Sequence, residues 1–506
     1  MRKGPLADSY PGAVALVACS LIPFLGLTAA ALPVLPQIGK SLHLSASTLD
    51  IAFAMSTAAY AVGTVFAVQF SLKMRPRRML VLYEALFVAA SLLAATTDNG
   101  GVFVAAFIVQ GLCTSLMLIA AVPPLVTAWP PEKMPTTSGI MNLCIFGAVA
   151  VGPTVGAAAG AAMSWHLIFW GVAGVATLAL VFSVLTFKDE SPNDKDAPWD
   201  FGALTLALVG SGAAFYGAGA LQAFGLLDVK ELLPLCGGFA FIVLLVISQY
   251  KLKRPLMPVK AFATTVPVVG ITLALFASAA GFGLMELVLT ALETTTTPVH
   301  TALLFLPEFV GAVAVATFFG VLFRTKGVTI LAFSGMLCII AAAAVFLESA
   351  TSGSVMVGLG AGLLGLGVGA SVSPALFMAG FSLRAKQLQR VFALIELLRG
   401  VTAFLVAPIL LYLVTVLATS KGTGIDLAIW ICLGLAGAGF LLALGLYAAG
   451  KSELETPDIA RWQEEGEPAW ASPPMLARLR ARDASGRGAP APEPAPEPVT
   501  VSSSHR

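Results

Sequence analysis

The sequence predicts an all-α membrane protein of fourteen spanning helices, and three observations carry that reading. The 506-residue chain is 58% hydrophobic and only 11% charged, with a mean hydropathy of +0.90, whereas soluble domains hold about 25% charged residues. Its apolar residues gather in runs of about twenty, the length that crosses a bilayer as a helix and about twice what a barrel strand needs. The loops between the runs alternate between basic and nearly uncharged. In hydrocarbon no water satisfies the backbone, so each run must bond to itself as a helix.

The runs fall at roughly 11–36, 48–71, 79–97, 101–128, 136–160, 165–187, 201–222, 232–250, 266–290, 300–323, 328–347, 354–380, 391–418 and 425–449. Met1-Arg2-Lys3 leads into the first run without a cleavage site, so that run is read as a span and not as a signal peptide. An even number of spans puts both ends of the chain on one side. Loops on that side carry Lys73, Arg75, Arg77, Arg78, Lys133, Lys251, Arg254, Arg324, Arg384 and others, while the opposite loops carry only Lys40, Lys230 and Lys421. The positive-inside rule then places both termini in the cytoplasm, with the protein in the cytoplasmic (inner) membrane. One span more or fewer would interchange every later loop and destroy the alternation. Residues 1–190 hold six spans, 191–262 two inserted spans with their linkers, and 263–450 six more. Residues 451–506 end in "GRGAPAPEPAPEPVTVSSSHR" and read as a disordered cytoplasmic tail. Within it, "PPMLARLRAR" (473–482) is a solvated stretch or, alternatively, a short basic helix on the membrane surface.

Several function classes are disfavoured at once. A net charge of +2 gives no case for nucleic acid. The six cysteines all lie in apolar runs without C-x-x-C or Cys/His spacing, so no metal is expected. There is no H-E-x-x-H, no phosphate-binding G-K-S/T loop and no G-x-S-x-G, so neither an enzyme nor a cofactor is expected.

The fifth run contains "AVAVGPTVGAAAG" (148–160), an apolar stretch dense in helix breakers. Gly152, Gly156 and Gly160 recur every four residues, on one helix face. In lipid, small residues on one face let two helices approach closely, and Pro153 can bend the helix. The spacing therefore predicts a tight helix contact, either static packing or a moving seam.

"GPTVGA", preceded by Gly147, resembles the antiporter signature of the fifth span in exporters of the major facilitator superfamily. Its last glycine is Ala157 here. "ALPVLPQIGKSLHLS" (31–45), "SWHLIFW" (164–170), "GVLFRTKG" (320–327) and "GLLGLGVGASVSP" (362–374) resemble other parts of that family in matching order. Fourteen spans resemble its drug:proton antiporter branch. The resemblance implies two six-helix bundles with two extra helices, alternating access, and a fifth-span seam that restricts leakage. Two departures stand out. The loop "QFSLKMRPRRMLV" (69–81) keeps the basic pair Arg77 and Arg78 but has Lys73 where the family has an acid. In the fourth span Gln110 and Gly111 match, but Phe107 replaces an arginine that the resemblance links to proton handling.

A charge inside a bilayer is expensive and is read as functional by default. A carboxyl in low dielectric can load and release a proton as a cavity opens alternately. Glu308, just after Pro307 in span ten, is the first candidate for such a carrier, with Glu286 near the outer mouth. Glu396 and Arg399 are helical neighbours that can pair, either as a local pair near the inner surface or as a cytoplasmic gate or substrate contact. Glu84 is a substitute partner for the basic cluster of Lys73, Arg75, Arg77 and Arg78, or an interfacial residue reaching headgroups. Gln110 and Asn142 are polar candidates for a cavity or for bonds between helices. The partners expected are a small amphipathic or hydrophobic molecule, protons and the lipid bilayer; the sequence identifies no periplasmic adaptor. The rival readings are an uncoupled exporter of a metabolite or lipid, and a receptor or scaffold that kept the fold without transport.

Overall fold

The computed structural model describes residues 3–477, except 187, 189–193, 195, 227, 294, 351, 353 and 418–423. Among the described residues, fourteen helices long and apolar enough to cross a membrane follow one another. They are α1 (Tyr10–Ala30), α2 (Ala46–Lys73), α3 (Pro76–Thr96), α4 (Gly100–Thr127), α5 (Pro131–Ala161), α6 (His166–Leu185) and α7 (Phe201–Phe224). The rest are α8 (Val229–Lys251), α9 (Thr265–Glu293), α10 (Pro298–Leu322), α11 (Gly327–Ser349), α12 (Val355–Phe381), α13 (Leu388–Leu417) and α14 (Gly424–Ala449). The expected runs match them to within a few residues.

Side chains in the loops set the starts. Ser9, Ser45, Asn99, Asp200, Asp228 and Thr297 each accept a hydrogen bond from a first-turn amide of the helix that follows. α3 starts on Pro76, whose missing N–H has no partner to lose there. A short helix, Leu35–Leu42, follows α1 and ends on left-handed His43. It was not expected from the sequence, because it is too short to stand out from the apolar run before it.

Helices α1–α6 and α9–α14 form two bundles that meet along two seams, α2 against α13 and α5 against α10. The inserted α7 packs along α2 and also touches α13, so it covers the first seam. Among the described residues, no helix covers the second seam in this way. There a groove of about 450 Å³ runs between α5 and α10, past Pro135, Gly139, Ala316 and Gly320 to the exposed Thr136 and Val321.

The face carrying residues 3–9 and 452–477 is called here the terminal face, and the opposite one the far face. The reading of 451–506 as a disordered tail is corrected for its first half. Residues 452–477 fold against the terminal face, and helix α15 (Ile459–Glu464) buries Trp462 completely. The Pro- and Glu-rich composition hid two tryptophans, Trp462 and Trp470, whose burial offsets the ordering of the segment. Of the 473–482 stretch, residues 478–482 lie outside the described residues.

Candidate transport site

On the far face the two bundles stand apart around a cavity of about 630 Å³. The α1–α2 connection contributes Leu35 and Lys40, α2 contributes Asp50, α7 contributes Gln222, α9 contributes Glu286 and Glu293, and α13 contributes Pro408. A neighbouring pocket of about 330 Å³ shares Pro36, Leu289 and Glu293 and adds Thr301 of α10. The mouth thus draws on both halves. Glu286 lines this cavity. Glu293 ends α9 and lines both pockets. Asp50 was missed, because its position two residues inside a run resembles an ordinary helix start.

The terminal side is shut between α4, α5, α12 and α13, where about 30 Å³ remains, lined by Val122, Met141, Leu376 and Phe392, and the α5–α10 groove lies outside that contact. Polar contacts cross the seams there. Gln389 donates to the Ile119 carbonyl at 3.1 Å, and Arg324 donates to the Glu132 carbonyl at 3.0 Å. Deeper in, the Asn142 amide donates to the Gly369 carbonyl at 3.3 Å, joining the bundles.

Glu396 and Arg399 pair as expected, with Arg399 Nη2 2.6 Å from Glu396 Oε2 and Nε 3.0 Å from the same oxygen. Both are buried. Their third partner carries no mark in the sequence. Tyr60 of α2 donates its hydroxyl hydrogen bond to Glu396 Oε2 at 3.2 Å, across the seam. The group is therefore a bridge between the bundles in mid-helix and not a local pair near the surface. A paired and bonded charge is tolerable in a dry interior, whereas one stripped of its partner is not.

Glu308 is 5% exposed, and its Oε2 has no hydrogen-bond partner among the described residues. It lies two turns along α10 from Thr301, about 10 Å below the smaller pocket on the same helix face. Gly365 of α12 packs directly against its backbone carbonyl. A side chain at 365 would push α12 away, so the glycine-rich span keeps this carboxyl enclosed.

Glu84 is fully buried and accepts a hydrogen bond from Ser20 at 2.5 Å. It reaches neither the basic cluster nor a headgroup, which corrects both expectations; the α3 face it occupies packs inward on α1 and α4. Within that cluster, Lys73 Nζ lies 5.6 Å from the Trp199 ring centroid. Arg75 and Arg78 are exposed, and the side chain of Arg77 lies outside the described residues. Gln110 is buried inside the first bundle, donating to Ser91 at 2.9 Å, so it is a bond between α4 and α3 and not a cavity residue. Where the family resemblance called for an arginine, Phe107 sits among Phe24, Phe53, Phe103 and Phe169, with ring centroids 5.8–6.5 Å away. Phe24 in turn stacks on Tyr60 at 6.3 Å.

The fifth-span glycines form the tight contact that their spacing predicts, and their partner is α1. A Cβ at Gly152 would meet Ala29 and Gly26, and one at Gly156 would meet the Ala30 backbone, whereas Gly160 has ordinary room. Gly147 closes a π-helical turn, Leu143–Gly147, just before them. Pro153 lies in the same helix. The opposite face meets α10, where Thr154 donates to the Ala302 carbonyl at 3.1 Å.

The sequence model of the Major Facilitator Superfamily matches residues 16–408. Curated relatives include the uncharacterized MFS-type transporter YcnB of Bacillus subtilis, 25% identical over 45% of this chain and 48% of that protein. The lincomycin resistance protein LmrB of the same organism is 28% identical over 36% of this chain and 39% of its own length. The multidrug resistance protein MdtL of Vibrio parahaemolyticus is 26% identical over 32% and 41%. The matched region spans less than half the length of each. Among solved structures, the human organic anion transporter MFSD10 superposes with a TM-score of 0.59 at 13% identity, over 86% of this chain and 99% of that one. Two bundles meeting along paired seams, two inserted helices beside one seam and a family match through most of the length place this chain in the Major Facilitator Superfamily of membrane transporters.

Proposed function

We propose that this protein exports an amphipathic or hydrophobic small molecule across the cytoplasmic membrane by alternating access, with protons moving inward in exchange. In this reading the terminal face is cytoplasmic, the far face is outside, and the conformation is open outward. The observation that carries it is the asymmetry of closure: a cavity lined by both bundles at one end and a sealed, bonded contact at the other. Rocking of the bundles about the α2–α13 and α5–α10 seams would exchange the two ends. The resistance proteins among the relatives support a drug-like substrate.

Glu308 is proposed as the proton carrier, because an enclosed carboxyl with an unpartnered oxygen can change its protonation as water reaches it and leaves. The mouth supplies a refinement. Among the described residues lining the cavity, Asp50, Glu286 and Glu293 face a single lysine, Lys40, which favours a cationic amphiphile over a neutral one. The test is substrate-triggered proton movement in proteoliposomes loaded with a pH-sensitive dye. A panel of lipophilic cations and neutral drugs is offered to wild type and Glu308→Gln. The expected outcome is a proton signal in wild type that disappears in the variant while substrate binding persists. Substrate flux without a proton signal in either protein would overturn antiport and favour the uncoupled exporter. Binding without flux would favour the receptor.

A further inference from the structure

The segment after α14 is built like a hasp, with one side fixed and the other side light. On the second bundle it is anchored many times over. The Trp462 indole donates to the Leu383 carbonyl at 2.8 Å and packs edge-on against Phe381 at 4.5 Å. The Ala469 amide donates to the Phe381 carbonyl at 2.8 Å, and the Thr265 amide donates to the Pro473 carbonyl at 2.9 Å. Ser472 accepts from the Val266 amide at 3.0 Å. Within the segment, Trp470 donates to the Glu455 carbonyl, which fixes its loop. The first bundle is touched lightly: helix α15 lies against Pro131–Lys133 at the start of α5, and among the described residues one side chain of the segment hydrogen-bonds to that bundle. Gln463 Nε2 donates to the carbonyls of Val126, in the last turn of α4, at 3.0 Å and of Trp129, just after it, at 3.1 Å. These acceptors lie beside the 30 Å³ closure lined by Val122 and Val126.

We propose that residues 452–477 are an intramolecular latch that rides on the second bundle and, through Gln463, holds the terminal end closed. The inference rests on the alternating-access reading for its consequence, but the contact itself does not depend on what is transported or on any coupling ion. Opening the terminal end moves the α4 carbonyls away from α12, and only the Gln463 side of the segment must let go. The Trp462 and Trp470 anchors stay seated throughout. The latch therefore biases the resting protein toward the conformation open on the far face, and whatever displaces Gln463 releases it.

The test measures distances between spin labels at Arg78 of the first bundle and Lys326 of the second, both exposed on the terminal face. It uses the full-length protein in nanodiscs, with the native cysteines replaced. Three forms are compared: the parent, Gln463→Ala and Gln463→Glu. Glutamate keeps the volume but turns the donor into an acceptor facing two carbonyl oxygens. The expected result is a shift of the open-to-closed ratio at the terminal end by about fivefold or more in Gln463→Ala, since at least one of the two Gln463 hydrogen bonds of ordinary strength is lost, and by at least as much in Gln463→Glu. Gln463 is only half-buried, so neither change disturbs the core, and an unchanged melting temperature confirms that the anchor stays seated. Unchanged distances in both variants would overturn the latch. Substrate flux measured in parallel separates the two readings. A distance shift without flux of any compound leaves the latch standing and counts against export; flux in all forms with no distance shift removes the latch and leaves export intact.

Discussion

A single phenol determines how the buried ion pair of the second bundle is used. Without Tyr60, Glu396 and Arg399 would be two neighbours on one helix; with it, they span a seam. Glu396→Gln leaves a guanidinium in a dry interior without its counter-charge, and a loss of about 3–5 kcal/mol follows, read as a lowered midpoint in detergent melting. Replacing Glu396 and Arg399 together by leucine is expected to recover most of that loss, because the desolvation of both charges disappears with them. Tyr60→Phe removes the hydrogen bond donated to Glu396 and the longer one, 3.5 Å, accepted from Arg399, a loss of about 1.5–3 kcal/mol. Asp8 shows the same logic at the surface. Lys188 at 2.9 Å and Lys3 at 3.4 Å hold its carboxyl below the usual range, the Lys188 hydrogen bond most of all. A lowered folded value means that the tether is fully present above the usual carboxylate range and lost as pH falls through the lowered one. The anisotropy of a dye on the N-terminal segment should therefore drop on acidification in wild type and not change with pH in Asp8→Asn. Of these side chains the sequence exposed Glu396 and Arg399, because a charge inside an apolar run is conspicuous. It could not expose Tyr60, which lies 336 positions from Glu396 and looks like any aromatic of a span.

At the level of the helix, the fifth-span pattern treats three glycines alike and the packing does not. Gly156 lies against the Ala30 backbone, which cannot yield, while Gly160 has its nearest neighbour, Val34 Cγ1, 3.5 Å from a built Cβ. Gly156→Ala should lose about 1–3 kcal/mol through forced separation of α1 and α5. Gly160→Ala should be neutral or slightly stabilising, since alanine is the better helix former. Thermal melting of the two variants side by side checks both. Period and residue size were legible here, because small residues every four positions can only mean close approach. Which helix approaches was not, since α1 and α10 both flank α5. The segment 452–477 was misread for a related reason. Its order comes from two tryptophans fitting a site on α12, and no local pattern announces such a site.

The fourteen spans and their grouping were legible because hydrocarbon admits only self-bonded segments of one length, which leaves little for tertiary context to change. The site was legible in part. Charges inside the spans were singled out, yet Glu84 proved to be an internal bond, and Asp50 joined the mouth from a position that looked ordinary. Burial and partnership are properties of the assembled bundles, and they decide which of several similar carboxyls faces a cavity. The seams carry a further consequence. The α2–α13 seam runs beside α7, whereas the α5–α10 seam ends in an uncovered groove between Thr136 and Val321. In the proposed rocking motion one flank would slide on protein and the other, with no helix over it, on whatever lipid surrounds it. The thickness and lateral pressure of that lipid would then bear on the motion from one side only, and a change of lipid should act on it as a lopsided load.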